Sequence, residues 1–272
     1  MPAALIAAVA GLIVGSFLNV CIFRLPRDLS VARPARSFCP SCEKTIAWYD
    51  NVPILSYFLL RRKCRHCGAV IPLRYPLVEA LTAASFFGAA MLHGVSAAGA
   101  RLALFSALLI GLIFTDLEER ILPDEITLGG TAAGLVFAWF VPMPIGLISV
   151  LLFHQSQRVQ SLAESLAGAL VASLGVWVIG ELYRRVRDRE GLGLGDVKML
   201  AMMGAFLGLG GSFLALMAGA MLGAVSGIVF IKLTRRDISS YELPFGSFLG
   251  IAALAVAFLT DPALPWYSHA TG

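Results

Sequence analysis

Two aspartates stand at borders between apolar and polar sequence, and together they have the makings of an amide-hydrolysing pair. Asp116 closes an apolar run in Phe114-Thr115-Asp116-Leu117-Glu118-Glu119-Arg120. Asp196 opens another in Gly193-Leu194-Gly195-Asp196-Val197-Lys198. An Asp at the centre of a spanning helix costs about 2.5–3.5 kcal/mol, so acids in such places invite a functional reading. Two carboxylates brought together do not both ionise. The ionised member can take a proton from water while the protonated one polarises a carbonyl, which hydrolyses an amide without a covalent intermediate. Gly193 and Gly195 would let an extended backbone approach the carboxylate, and Lys198, Glu118 and Glu119 are further candidates for substrate contact. Plainer readings stay open on these residues alone. Asp116 can be an interfacial residue of an acidic loop with Glu118, Glu119, Asp124 and Glu125. Asp196 can be a helix N-cap, and Lys198 a snorkelling side chain.

A second constellation is Cys39-Pro-Ser-Cys42 and Cys64-Arg-His-Cys67, with 21 residues between the pairs. Two such knuckles are the pattern of a zinc ribbon, in which four thiolates complete a tetrahedron. Gly68 follows the second pair, as a tight knuckle turn requires. A polar stretch of this size has little core, and bound metal would supply its folding free energy. A thiol redox pair and a catalytic zinc are the competing readings. The first is disfavoured in a reducing compartment, the second because four thiolates leave no position for water. His66 reads as a solvated neighbour, and Cys21 as a small apolar residue.

Membrane topology must position both groups. Of 272 residues 58% are hydrophobic and 14% charged, with a mean hydropathy of +0.82, so lipid must be the solvent for most of the chain. A spanning helix takes about 20 apolar residues. Such windows fall at 3–23, 77–93, 99–115, 126–142, 163–182, 197–210, 212–231 and 245–260. The expected fold is an all-α polytopic membrane protein of about eight transmembrane helices, with a small cytoplasmic zinc-ribbon-like insertion between helices 1 and 2. Its expected parts are the first helix (1–23), the cysteine insertion (24–76) and a transmembrane bundle (77–272). The short, Gly-rich 197–210 window predicts a helix that starts or breaks inside protein. The stretch 143–162 reads as a short amphipathic piece at the outer interface.

Charge orients this chain. With an external N-terminus, every Lys and Arg except Arg101 and Arg158 falls in the cytoplasmic segments 24–76, 116–125, 183–198 and 232–244. Asp116 and Asp196 then lie at the cytoplasmic edge, although neither entered the assignment. The net charge of +4 is a topology signal and calls for no nucleic-acid partner. The first apolar run lacks a basic residue before it, so it reads as a retained helix rather than a cleaved signal.

The ordered set of motifs resembles the bacterial prepilin leader peptidases/N-methyltransferases of type IV pilus and type II secretion systems. It comprises Gly15-Ser16-Phe17-Leu18-Asn19-Val20, Arg24-Leu25-Pro26, both cysteine pairs and Ile71-Pro72-Leu73-Arg74-Tyr75-Pro76-Leu77-Val78-Glu79. The Asp116 and Asp196 segments and Leu243-Pro244-Phe245-Gly246 complete it. The resemblance implies a bacterial inner-membrane enzyme that cleaves basic leaders from prepilins and pseudopilins at the cytoplasmic face, with Asp116 and Asp196 as its acids. It also implies N-methylation of the new N-terminus with S-adenosylmethionine, an activity linked to the cysteine insertion and zinc. Arg74 and Glu79 are the residues guessed for that second site. The acidic residues around Asp116 would attract a basic leader. An ion- or proton-coupled transporter with a structural zinc site is the alternative; it expects acids near the bilayer midplane and paired helix breaks in two halves. Pro262-Ala263-Leu264 is similar to a motif of presenilin-like proteases, but falls beyond the last window.

Overall fold

A computed structural model describes residues 1–143, 146–152, 154–187, 193–234 and 243–261. The chain divides into two compact units at Gly111 and Leu112. Pro262-Ala263-Leu264 lies outside the described residues.

In the first unit, α1 (Pro2–Arg24) packs against α3 (Arg74–His93). The contact is built on the small residues Gly11 and Gly15. A Cβ at Gly11 would sit 2.7 Å from the Ala83 Cα, and one at Gly15 would sit 2.7 Å from the Glu79 Cα. Small residues four apart let helix backbones touch in lipid, where dispersion and hydrogen bonds must do the work of association. One turn further on, Asn19 donates Nδ2 to the Tyr75 carbonyl at 3.0 Å. Cys21 is buried, as expected of a small apolar residue.

The insertion begins with Arg24. This buried guanidinium donates to the carbonyls of Ser30, Val31, Pro34 and Arg36 and lies over the Phe38 ring. A residue that counts in sequence toward topology and toward the Arg24-Leu25-Pro26 motif thus also gathers the start of the insertion. The 3-10 turn Trp48–Asn51 and the short helix α2 (Leu55–Leu59) follow. The last helix to begin here is α4 (Ala97–Glu119).

The second unit holds α5 (Asp124–Phe140), α6 (Leu147–Leu151), α7 (Gln157–Arg187), α8 (Leu194–Thr234) and α9 (Phe245–Leu259). Its centre is the first arm of α8, where Met199, Leu200, Met202, Met203 and Ala205 are fully buried. Gly208 breaks this helix at φ 70° and ψ −175°, a conformation open essentially to glycine alone. A straight helix would separate Met199 from Gly219 by about 30 Å. Yet a Cβ at Gly219 would lie 2.9 Å from the Leu249 Cα, and one at Gly250 would lie 3.1 Å from the Met199 side chain. Both arms therefore pass one level of α9, and α8 is a hairpin.

Among the described residues five helices are long and apolar enough to cross a bilayer: Pro2–Arg27, Arg74–His93, Ala97–Glu119, Gln157–Arg187 and Leu194–Phe230. The last is the hairpin, whose two arms answer to the windows 197–210 and 212–231. The 17-residue α5 and the 15-residue α9 answer to the windows at 126–142 and 245–260. The fold is thus all-α and polytopic. The expected break is real and lies at Gly208, close to the window boundary.

The described residues of the stretch 143–162 include the five-residue α6 and the start of α7, and α7 holds them by side chains. Ser161 Oγ accepts the Met143 amide at 3.0 Å, and Glu164 Oε2 accepts the Ile148 amide at 3.1 Å. The other Glu164 oxygen accepts the Leu209 amide at 3.2 Å, at the first residue after the Gly208 break. A helix restarting there has unpaired amides, and this buried carboxylate caps one.

Candidate functional site

Asp116 sits in the last full turn of α4 and is buried. Its Oδ2 accepts the Ser247 amide at 2.6 Å and faces the Ser247 hydroxyl at 2.7 Å. That amide is available because Ser247 lies in the first turn of α9, just after Pro244. The same hydroxyl lies 3.1 Å from the Ile113 carbonyl. A hydroxyl has one proton, so it serves the carboxylate or the carbonyl, and can accept in turn if Asp116 carries a proton. Among the described residues nothing hydrogen-bonds Oδ1.

Asp196 lies in the first turn of α8, where its own amide donates to the Gly193 carbonyl at 3.1 Å. Its charge and that of Asp116 lie within electrostatic reach of each other. Leu122, in the link after α4, fills the space by both acids' neighbours. A Cβ at Gly195 would meet its side chain at 3.2 Å. One at Gly246 would meet it at 3.0 Å and the Asp116 carboxyl carbon at 3.2 Å. Pro244-Phe245-Gly246 is thus explained: the proline opens α9 and the glycine leaves room for the acid. Gly193 and Gly195 lie beside Asp196, one exposed and one part-buried.

Other sequence candidates fare differently. Lys198 neither snorkels nor stands free, because its Nζ bonds both oxygens of Asp124 at 2.7 Å. This pair joins the start of α5 to the second turn of α8, and it uses up one acid of the cluster expected to draw a basic leader. Glu118 is exposed and Glu119 part-buried, and both have partners. Glu79 is buried on α3 and accepts the Ile54 amide at 2.6 Å. Arg74 lies over the Tyr75 ring at 4.6 Å. Sequence reasoning missed Ser247, Leu122 and Glu164. Glu164 carried a signal, being an acid inside an apolar window, and Ser247 carried one in following the Pro-Phe-Gly motif.

The four insertion cysteines converge, with all Sγ atoms within 4.8 Å of one another and Cys39 and Cys67 at 3.9 Å. The knuckles are built alike. Glu43 and Gly68 each stand four residues after the first Cys of their pair, each with positive φ and each donating its amide to that cysteine's carbonyl. Backbone amides, those of Cys67 first and His66 second, bring the Cys64 thiol down to about 7. This donor set could hold a metal ion, and four soft sulfurs in tetrahedral reach fit zinc chemistry. Arg65, within the second knuckle, grips Asp50 through both carboxylate oxygens at 2.6 and 2.7 Å, which holds the Asp50 carboxyl below its ordinary range. His66 is exposed.

The hairpin bundle and the tetrathiol insertion define a polytopic membrane protein with two chemically distinct centres. Two family profiles match: the bacterial peptidase A24 N-terminal domain over residues 9–93 and the type IV leader peptidase family over residues 103–228. A prepilin leader peptidase/N-methyltransferase of Myxococcus xanthus is 40% identical over 84% of this chain, which spans 63% of that longer relative. A type 4 prepilin-like proteins leader peptide-processing enzyme of Escherichia coli is 34% identical over 95% of both chains. A prepilin leader peptidase/N-methyltransferase of Aeromonas hydrophila is 33% identical over 94% of this chain and 90% of its own. No solved structure matches. The chain belongs to the type IV leader peptidase family.

Proposed function

We propose that this chain is a multi-pass inner-membrane enzyme that removes basic leaders from type IV prepilins and pseudopilins, and then N-methylates the exposed N-terminal residue with S-adenosylmethionine. The relatives' names support both activities, and nothing among them favours the transporter. The observation that carries the peptidase reading is the pairing of Asp116 and Asp196, with one Asp116 oxygen held by Ser247 and the other open.

In the proposed reaction Asp116 is the ionised acid, its Oδ2 accepting the Ser247 amide. Its open Oδ1 takes a proton from water as the water oxygen adds to the scissile carbonyl. Protonated Asp196 gives its proton to the carbonyl oxygen, leaving a neutral diol. The proton held by Asp116 then passes to the leaving nitrogen while Asp196 recovers its own, the C–N bond breaks, and both acids return to their starting states. Gly193 and Gly195 border the substrate backbone, and Glu118 and Glu119 favour a basic leader. The bias of basic residues supports the reading that this end of the bundle faces the cytoplasm, with the N-terminus periplasmic.

Cys39, Cys42, Cys64 and Cys67 would hold a structural zinc ion that fixes the fold of residues 24–76. Asn19 Oδ1 and Tyr57 Oη are buried without a partner among the described residues. Such atoms call for a ligand or ordered water, and with Arg74 and Glu79 they are the first unit's candidates for meeting a polar cofactor. Bound S-adenosylmethionine supplies an electrophilic methyl group. The chain's part is to hold the unprotonated amine against it.

The experiment is incubation of the membrane-embedded enzyme with a full prepilin, with and without S-adenosylmethionine, reading product mass. Loss of the leader in both, with one added methyl only when the donor is present, is the expected result. An uncleaved prepilin would refute the assignment.

A further inference from the structure

The insertion carries an apolar face that its own fold does not cover. On α2, Leu55, Phe58 and Leu59 are 55%, 67% and 71% exposed, while Ser56 and Tyr57 between them are buried. Positions i, i+3 and i+4 thus make one outward stripe. Beside it, Trp48 and Tyr49 are 80% and 53% exposed. The two pieces form one local structure: Ser56 Oγ accepts the Val52 amide at 2.9 Å and donates to the Tyr49 carbonyl at 3.0 Å.

The depth of this face follows from Glu79. That carboxylate lies five residues inside α3, about 7.5 Å along the axis from Arg74, and α3 is long and apolar enough to span. It accepts the amide of Ile54, the residue immediately before α2. Ile54 has φ 60° and ψ −50°, with the Leu55 amide donating to the Pro53 carbonyl at 2.6 Å. This is a γ-turn of the strained kind, and a β-branched residue at its centre needs strong outside restraint. The buried Glu79 supplies that restraint and ties α2 to the membrane edge of α3. Arg61, Arg62 and Lys63 follow α2 directly and are exposed.

We propose that α2 and the Trp48–Asn51 turn form an in-plane membrane anchor. Leu55, Phe58 and Leu59 enter the headgroup–acyl boundary of the bilayer that holds α1 and α3. Trp48 and Tyr49 sit at the interface beside them, where amphipathic rings are favoured. Arg61, Arg62 and Lys63 face anionic phospholipid headgroups. The inference rests on α1 and α3 spanning a bilayer and not on the enzymatic reading.

The test uses the full chain in phosphatidylethanolamine/phosphatidylglycerol vesicles, with Trp139→Phe, Trp177→Phe and Trp266→Phe leaving Trp48 as the only tryptophan. Lipids brominated near the headgroup end of the acyl chain are expected to remove about half of the Trp48 emission, and lipids brominated near the terminal methyl little. Adding Phe58→Asp and Leu59→Asp should relieve most of that quenching while metal content holds. Emission quenched by aqueous iodide but untouched by shallow bromine would overturn the proposal. So would shielding that appears only when prepilin is added, which would make the occupant a protein.

Discussion

The second unit contains two buried carboxylates that each accept the amide of a helix start from elsewhere in the chain. Glu164 takes Ile148 on one oxygen and Leu209 on the other. Asp116 takes the Ser247 amide on one oxygen, which also faces the Ser247 hydroxyl. Glu164 is therefore spent on structure: it closes the gap where Gly208 breaks α8 and fastens α6 to α7. Among the described residues Asp116 keeps an oxygen open, and it has a second acid within electrostatic reach. Burial and a strong hydrogen bond are common to both, so neither feature marks a reactive acid. The open oxygen and the neighbouring acid are what set Asp116 apart from Glu164.

This contrast makes opposite demands on substitution. Asp116→Asn should lower cleavage about a thousandfold while leaving thermal unfolding in detergent nearly unchanged. Glu164→Ala should do the reverse. It strands two buried amides and should cost about 3 kcal/mol of stability, with kcat per folded molecule close to wild type. A Glu164→Ala enzyme that stays stable but loses kcat would erase the distinction.

Ser247→Ala sharpens the picture, because it removes the hydroxyl and leaves the amide. Cleavage kcat should fall about tenfold, within the range of one lost charge-assisted hydrogen bond, with KM little changed. Ser247→Thr should restore most of it. A KM effect alone would assign Ser247 to substrate binding instead.

The cysteine insertion offers a pH test. The backbone amides at Cys64 stabilise its thiolate, so the thiolate should predominate above about 7 in the metal-free chain. Alkylation followed by mass mapping should show Cys64 reacting with a midpoint near that value. Metal affinity should weaken as pH falls, since protons then compete for sulfur. Equal alkylation profiles for all four cysteines would contradict the geometry. The smallest effect is expected at Lys198. Replacing it with Met frees the Asp124 carboxylate, and KM for a basic-leader peptide should drop by about threefold or less, as suits an exposed ion pair.

Helix positions were legible because lipid demands unbroken apolar runs, and the cysteine site because its ligands sit in two short local motifs. The break in α8 was legible from its Gly-rich border, although Gly208 itself needed the backbone. Ser247 and Glu164 were harder to read. Ser247 meets Asp116 across 131 residues, and Glu164 meets Leu209 across 45. Their partners are backbone amides, which have no letter of their own in a sequence. The Asp124–Lys198 pair escaped for a related reason, since each charge alone fits a solvated surface.

The most direct test of the two-acid account is a cleavage assay of Asp116→Asn, Asp196→Asn and the double variant in one membrane preparation, with folding checked for each. If the acids act as a unit, each single substitution lowers cleavage about a thousandfold and the double is no worse than either. Losses that multiply, or a single variant that still cleaves at near the wild-type rate, would contradict it.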